Sequence, residues 1–372
     1  MTSETAAKVD RIVQLLATEN LGGLLLGSQH NFSWLTAGAR NGIDLSREAG
    51  AGRLLVRNDG KCFVLANRIE MPRLLSEELS ENDFEPIEFA WEDEQDSPSF
   101  LVDKALDLLD RRAPLGSDLA LNANTRLIEA AIARCRYQLT EPELIRFRRL
   151  GHDAGEAISA LVRTLEPGQT EREVAAQVVS ALAARGAHAV VMLVAADDRI
   201  KSFRHPVPTD RRWEKVLMVV VCARREGLIA SLTRIVCRGT ISDELRRRTI
   251  AAARVNAQLL AATRPGATGA DLYKLVAQSY AEEGFPGEQL LHHQGGACGY
   301  RTRDWLAHPQ STQRVCVNQA FAWNPSVTGT KVEETCIALA ASVELITATP
   351  DWPQISVEVN GRAYQSPDLL AV

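Results

Sequence analysis

The segment "HHQGGACGY", residues 292–300, sets two adjacent histidines against paired glycines and a cysteine. Imidazole and thiolate are metal ligands, and imidazole is also the side chain that exchanges protons near neutral pH. Two kinds of chemistry are therefore open here, metal coordination or acid–base transfer. Neighbouring residues of a strand point to opposite faces, so the spacing predicts that His292 and His293 do not share one ion. The cysteines lend a metal little support. There are seven, at 62, 135, 222, 237, 298, 316 and 336, an odd number without a CxxC pair. That pattern argues against both a disulfide framework and a thiolate zinc site. Cys222 and Cys298 are candidate nucleophiles, although a free cysteine most often behaves as a small buried hydrophobe. A second feature is "VLMVVVCARREGLIASLTRIVC", residues 216–237. Two β-rich runs flank residues 224–227, read as a four-residue turn ending in glycine, and pairing about that turn sets Val220 opposite Ser231.

These residues need a scaffold, and the pattern supplies one. Residues 5–19 are helix-like, "GGLLLGS" is a short buried strand, and "GRLLVRNDGKCFVLA" is a hairpin about Asn58-Asp59-Gly60. A helix is expected at about 68–79, a strand at "FEPIEFAW" and a helix near 99–112. Strands alternating with helices predict a layered α/β domain. A second unit opens at "LTEPELIRFRRLGHDAGEAISALVRTL", where Thr140 and Glu143 form a capping box. Phe147, Leu150, Ala154, Ala157, Ile158 and Leu161 recur at helical spacing, and Thr170 with Glu173 caps the next helix. Strands follow at 189–195, 215–223, 228–237, 319–324 and 332–339. The expected domains are 1–135 and 136–372.

The bulk properties exclude several partners. A net charge of −5 gives no electrostatic reason to bind nucleic acid or an anionic membrane. The densest basic run, "ELRRRTI" at 244–250, reads as a solvated helix face. The first twenty residues have no apolar core of a signal peptide, and no run approaches the roughly 18 apolar residues of a membrane span. The expectation is a soluble cytoplasmic protein acting on a small molecule.

Six segments, taken in order, resemble the pita-bread hydrolases, the family of methionine aminopeptidase, aminopeptidase P, prolidase and creatinase. "NFSWLTAGARNG" is similar to its N-terminal "NI.YLTG" strand, and "EPELIRFRRLGHDAGEAISALVRTLEPGQTERE" to its opening catalytic helices. "RHPVPTDRRWEKVLMVVVCARREGLIASLTR" resembles its aspartate-bearing hairpin, "HHQGG" its "GHGIG", "AFAWNP" its "..T.EP" and "VEET" its "iEDT". The resemblance implies an α/β (α+β) protein, with a creatinase-type N-terminal α/β domain and a pita-bread catalytic domain. It also implies a homodimer.

The metallopeptidases of that family hold two divalent ions with two Asp, one His and two Glu. Carried over, those positions are Val220, Ser231, His293, Asn324 and Glu333, so only His293 and Glu333 keep ligand chemistry. Two dications would face one remaining carboxylate, and a valine supplies no ligand. No dinuclear metal and no other cofactor is expected. Creatinase resembles this fold without a metal and uses a histidine as acid and base on a C–N bond. The matching residue is His205 in "FRHPVP", biased to extended backbone by Pro206. On this reading His205 is general base then acid, with His293 and Glu333 orienting substrate or water. Ser231, Thr233 and Asn324 become neutral hydrogen-bonding partners. Thr233 falls where creatinase has a carboxylate, which makes creatine itself an unsuitable substrate. Arg40, in "AGARNG", lies near an arginine that grips a substrate carboxylate across the creatinase dimer. Tyr300 and Arg303 follow the "HHQGG" turn as substrate-binding candidates. His292 is expected to be a core or interface histidine, and Glu334 to pair with Arg234 or meet solvent. The function implied is a metal-independent hydrolase of a small amide, amidine or amino-acid derivative. The alternatives are a metal-dependent Xaa-Pro aminopeptidase or dipeptidase with an atypical ligand set, and a non-catalytic pseudopeptidase.

Overall fold

The computed structural model describes residues 2–79, 83–109 and 114–372. The chain divides into two compact units, Met1–Arg136 and Tyr137–Val372. No helix among the described residues is long and apolar enough to cross a membrane.

The first unit is a six-stranded mixed sheet with helices. From one edge its strands are Glu85–Phe89, Cys62–Asn67, Ala49–Arg57, Gly23–Ser28, Leu115–Ser117 and Thr125–Leu127. Leu25, Leu55, Phe63, Leu65 and Phe89 form an apolar core with Val102 and Ala105 of the Phe100–Asp107 helix. Three expectations change here. The "NFSWL" segment is not a strand but the end of a helix, Gln29–Leu35, because Ser28 accepts a hydrogen bond from Asn31 N–H and caps it. The helix expected at 68–79 is a short turn, Met71–Arg73, running into one wider turn, Leu74–Glu78. The expected helix at 99–112 ends at Asp107, and residues 110–112 lie outside the described ones.

The second unit opens with helix Glu141–Val162, whose N-terminus carries the Thr140–Glu143 capping box, and helix Glu171–Ala183 repeats the device with Thr170 and Glu173. Two sheets follow. One runs Leu370–Ala371, Leu228–Cys237, Val216–Arg225, His188–Ala196; the other runs Trp305–Leu306, Gly295–Cys298, Gln319–Trp323, Glu334–Ala338, Val343–Leu345. Helices Asp243–Ala262 and Gly269–Glu282 share a core with the second sheet through Ala297, Phe321, Trp323 and Cys336.

The Val216–Cys237 hairpin corrects the expected register. Arg225 pairs with Leu228, so the turn is two residues, Glu226 (φ 50°) and Gly227 (φ 79°). Positive φ at both central residues matches the right-handed twist of the flanking strands, which a four-residue turn does not require. Val220 therefore faces Thr233, and Ser231 faces Cys222. The paired glycines of "HHQGG" also have a structural cause. A Cβ on Gly295 would lie 2.2 Å from the Ala322 carbonyl oxygen, and one on Gly296 would lie 2.0 Å from that of Trp305.

The two sheets are joined through consecutive residues. Thr233 Oγ1 donates to Glu333 Oε2 at 2.8 Å, and the Arg234 guanidinium meets Glu334 at 2.9 Å. Arg234, fully buried, also donates to the Thr233 carbonyl, the Thr347 carbonyl and Ser159 Oγ, and lies over the Trp352 ring. Removing one partner of such a pair strands a buried charge. Arg234→Met is expected to cost about 3–5 kcal/mol, read as a lower urea midpoint. The double variant Arg234→Met/Glu334→Leu should recover part of the loss, and equal stability of wild type and Arg234→Met would exclude this role.

Candidate active site

His205 lies between the turn Arg199–Ser202 and the Val216–Arg225 strand. Its loop is held on both sides: Val194 N–H donates to the Pro206 carbonyl at 3.2 Å, and Arg204 reaches Glu288 at 2.5 Å, Thr328 Oγ1 at 2.9 Å and Ser326 Oγ at 3.1 Å. His292 and His293 sit between the turn Glu288–Leu290 and strand Gly295–Cys298. They precede the strand rather than belong to it, so strand alternation does not separate them. This overturns the expectation that the two point apart. His205 Nε2 and His292 Nε2 are 3.1 Å apart, and ligand nitrogens of His205, His292 and His293 all lie within 4.8 Å of one another. His205 is exposed, His293 half-buried and His292 buried.

Around this cluster lies Glu333, itself buried. Its Oε2 accepts from Thr233 Oγ1 and lies 3.2 Å from Lys331 Nζ, while Oε1 lies 3.3 Å from an Arg303 nitrogen. Burial opposes the charge of Glu333, but Lys331, Arg303 and the Thr233 hydrogen bond outweigh it and hold the carboxyl below its ordinary range. Two cations thus face one carboxylate. The histidines register the surplus. Burial first, then Lys331 and the neighbouring His293, lowers His292 to about 3. Burial, then Arg303 and Lys331, lowers His293 to about 4. His205, exposed as a residue but with its ring partly desolvated, is lowered by that desolvation and by Lys331, with Glu333 opposing. All three are neutral at pH 7.

The remaining candidates fall in varied places. Ser231 Oγ donates to Cys222 Sγ at 3.2 Å, and its backbone exchanges hydrogen bonds with Thr335 Oγ1. Asn324 is buried, donates its N–H to the Gln294 carbonyl at 3.1 Å and has a side-chain oxygen with no hydrogen-bond partner among the described residues. Tyr300 is buried. Arg40 belongs to the first unit, where it is exposed and pairs with Glu78 at 3.2 Å. Burial raises the Cys222 thiol and pushes Cys298 up to about 12, which suits neither to nucleophilic attack. Lys331 and His292 were not foreseen as site residues. Lys331 lies two positions before Glu333, just ahead of strand Glu334–Ala338, and only the contact between their side chains shows that they share the site. A cavity of about 10 Å³ beside His292 and Lys331, lined also by Ser326 and Thr330, has room for about one water.

Residues 146–345 match Metallopeptidase family M24, and the chain belongs to that family. The Xaa-Pro dipeptidase of Pyrococcus furiosus is 23% identical over 232 residues, 60% of this chain and 66% of that protein, so the match spans just under two thirds of the relative. Among solved structures, the prolidase from Pyrococcus horikoshii superposes with a TM-score of 0.77 at 19% identity, covering 92% of this chain and 98% of that one. Dipeptidase PepE from Mycobacterium ulcerans gives 0.78 at 18% identity, covering 100% and 98%. At these identities the likeness establishes the two-domain pita-bread fold.

The residues present do not fit the family's dinuclear metal. Val220 offers no ligand atom, the Ser231 hydroxyl is turned to Cys222, and both oxygens of Glu333 are engaged by protein donors. The three imidazoles are a ligand set of different composition, and the Lys331 and Arg303 charges that depress their pKa also oppose a dication.

The neutral histidines make stability depend on pH. In the unfolded chain histidine titrates near 6.5, while His292 and His293 resist protonation down to about 3 and about 4. Between pH 6.5 and about 4 the unfolded state binds protons that the folded state refuses, so stability falls as the solution is acidified. Calorimetry from pH 7 to pH 4.5 should show Tm declining, with a shallower decline in His293→Gln. An identical slope in that variant would remove His293 as a cause.

Proposed function

We propose that this chain hydrolyses a C–N bond in a small amide, amidine or amino-acid derivative by side-chain acid–base chemistry, as a cytoplasmic homodimer. The observation that carries the reading is the state of Glu333. The carboxylate that survives from the family's ligand set is bound by Lys331, Arg303 and Thr233, so protein cations stand against it. Water, with a pKa of about 15.7, then needs a side-chain base. His205 is exposed, neutral and beside His292. It takes the proton of the attacking water and returns it to the leaving nitrogen. Lys331 and Arg303 supply positive charge for the oxyanion that develops on the substrate. Among the described residues His293 Nδ1 and Asn324 Oδ1 have no hydrogen-bond partner, and they are placed to orient substrate or water.

A second reading is a metal-dependent Xaa-Pro dipeptidase with an altered ligand set, favoured by the three clustered imidazoles and by the names of the relatives. Elemental analysis after purification in buffer supplemented with zinc, manganese or cobalt separates the two. Well under one equivalent per chain is expected. Two tightly bound ions would overturn the proposal, and one ion lost in His292→Ala would establish the second reading.

Once a panel of small amides and Xaa-Pro dipeptides yields a substrate, His205→Ala should lower kcat by about 10²–10⁴-fold. His293→Ala should act more on KM. Because the His205 pKa lies below its ordinary value, the base stays competent on the acid side of pH 6.5, and the acid limb of kcat/KM should fall there. Wild-type turnover in His205→Ala would refute the assignment.

A further inference from the structure

A neutral imidazole has one nitrogen that donates and one that accepts, and the bond made by one fixes the other. His292 Nδ1 is hydrogen-bonded to the backbone carbonyl of His293. A carbonyl oxygen only accepts, so Nδ1 of His292 carries the proton. His292 is buried on the small cavity it shares with Lys331, where a second positive charge would be desolvated against the ammonium, so its ring is neutral and Nε2 is a lone pair. That lone pair lies 3.1 Å from Nε2 of His205. Two lone pairs would repel at this distance, so His205 Nε2 carries a proton and donates it. The basic atom of a neutral His205 is then Nδ1, which no hydrogen bond from a described residue occupies.

We propose that His292 is a positioning residue, which holds His205 in the Nε2–H tautomer and so makes Nδ1 the atom that accepts and returns the proton. This rests on the acid–base reading of His205 given above. The chain runs from the His293 carbonyl to His292 Nδ1–H, and from His292 Nε2 to H–Nε2 of His205. When water attacks, its proton goes to His205 Nδ1, and the imidazolium keeps its Nε2–H on His292. The same Nδ1–H then passes to the leaving nitrogen, and His205 is neutral again in its starting tautomer. The role resembles that of the carboxylate in a serine-protease triad, which holds its histidine in one tautomer and orientation. A neutral imidazole does so here without adding negative charge, in keeping with a pocket where Lys331 and Arg303 already face Glu333.

The fold holds the arrangement from both sides. Gln294 donates to the His292 carbonyl at 2.5 Å and accepts from Tyr280 Oη at 2.6 Å, which fixes the chain next to His292. Arg204, adjacent to His205, is tied to Glu288, just before the histidine pair.

The test reads tautomers directly and needs no substrate. Long-range ¹H–¹⁵N correlation spectra of the full chain with ¹⁵N-labelled histidine, assigned with His205→Ala and His292→Leu, should show His205 protonated on Nε2 and His292 protonated on Nδ1. His292→Gln, whose side-chain oxygen can accept in place of Nε2, should keep the His205 tautomer. His292→Leu should leave His205 distributed between both tautomers. Where turnover is measurable, His292→Leu should lower kcat by at least about tenfold with KM little changed, short of the about 10⁴-fold that a wrong tautomer costs in the triad, and His292→Gln should restore much of it. A His205 protonated on Nδ1 in the wild-type spectrum overturns the proposal whatever the activity. The expected tautomers together with a fully active His205→Ala would instead uphold the geometry and refute the acid–base reading.

Discussion

Two consecutive pairs tie the second unit together, Thr233 to Glu333 and Arg234 to Glu334. Successive side chains of an extended strand leave on opposite faces, so these neighbours serve different ends. The Arg234–Glu334 pair is fully enclosed, with Ser159 of the first helix of this unit and Trp352 packed about the guanidinium. Its desolvation is offset only because the remaining donors of Arg234 reach the Thr233 and Thr347 carbonyls. The Thr233–Glu333 pair turns to the other side, where the histidines gather. One constraint, the alignment of the Leu228–Cys237 strand with the Glu334–Ala338 strand, thus fixes both the core and the site.

The site is governed by a local excess of positive charge. Lys331 and Arg303 face one carboxylate, and burial first, then these charges, keeps the three imidazoles neutral. A site built this way differs in kind from one that balances two dications with four carboxylates. On the acid–base reading proposed above, it suits a group that becomes negative during reaction and leaves histidine as a free base. The nearby thiols are held the other way, since Arg303 favours their thiolates but burial opposes them more strongly. Burial first, with Glu333 adding to it, holds Cys222 and Cys298 in the protonated form.

Much of this was readable in the sequence where the governing interactions are local. The capping boxes at Thr140 and Thr170, the helix that follows each, and the hairpin after Val216 depend on residues within a few positions of one another. The segments resembling the pita-bread hydrolases named the family and the fold, and the missing carboxylates at Val220, Ser231 and Asn324 were visible without coordinates. Errors arose where a local rule met a competitor. A two-residue turn replaced the four-residue one because strand twist favours it, and that moved Val220 from Ser231 to Thr233. Ser28 turned the following segment from a strand into a helix by capping it.

What the sequence determined by itself is therefore the family, the order of elements and the residue types at Val220, Ser231 and Asn324, since each follows from residue type and short-range spacing. The tertiary structure decided the rest. It brought His205 to His292 across 87 positions, set Lys331 and Arg303 on the two oxygens of Glu333, and placed Arg40 in a separate unit beside Glu78. It also gathered His292 with His293, because the chain bends between Leu290 and Gly295 instead of extending. Contacts of this kind depend on how loops close between distant strands, and no periodicity along the chain encodes that closure.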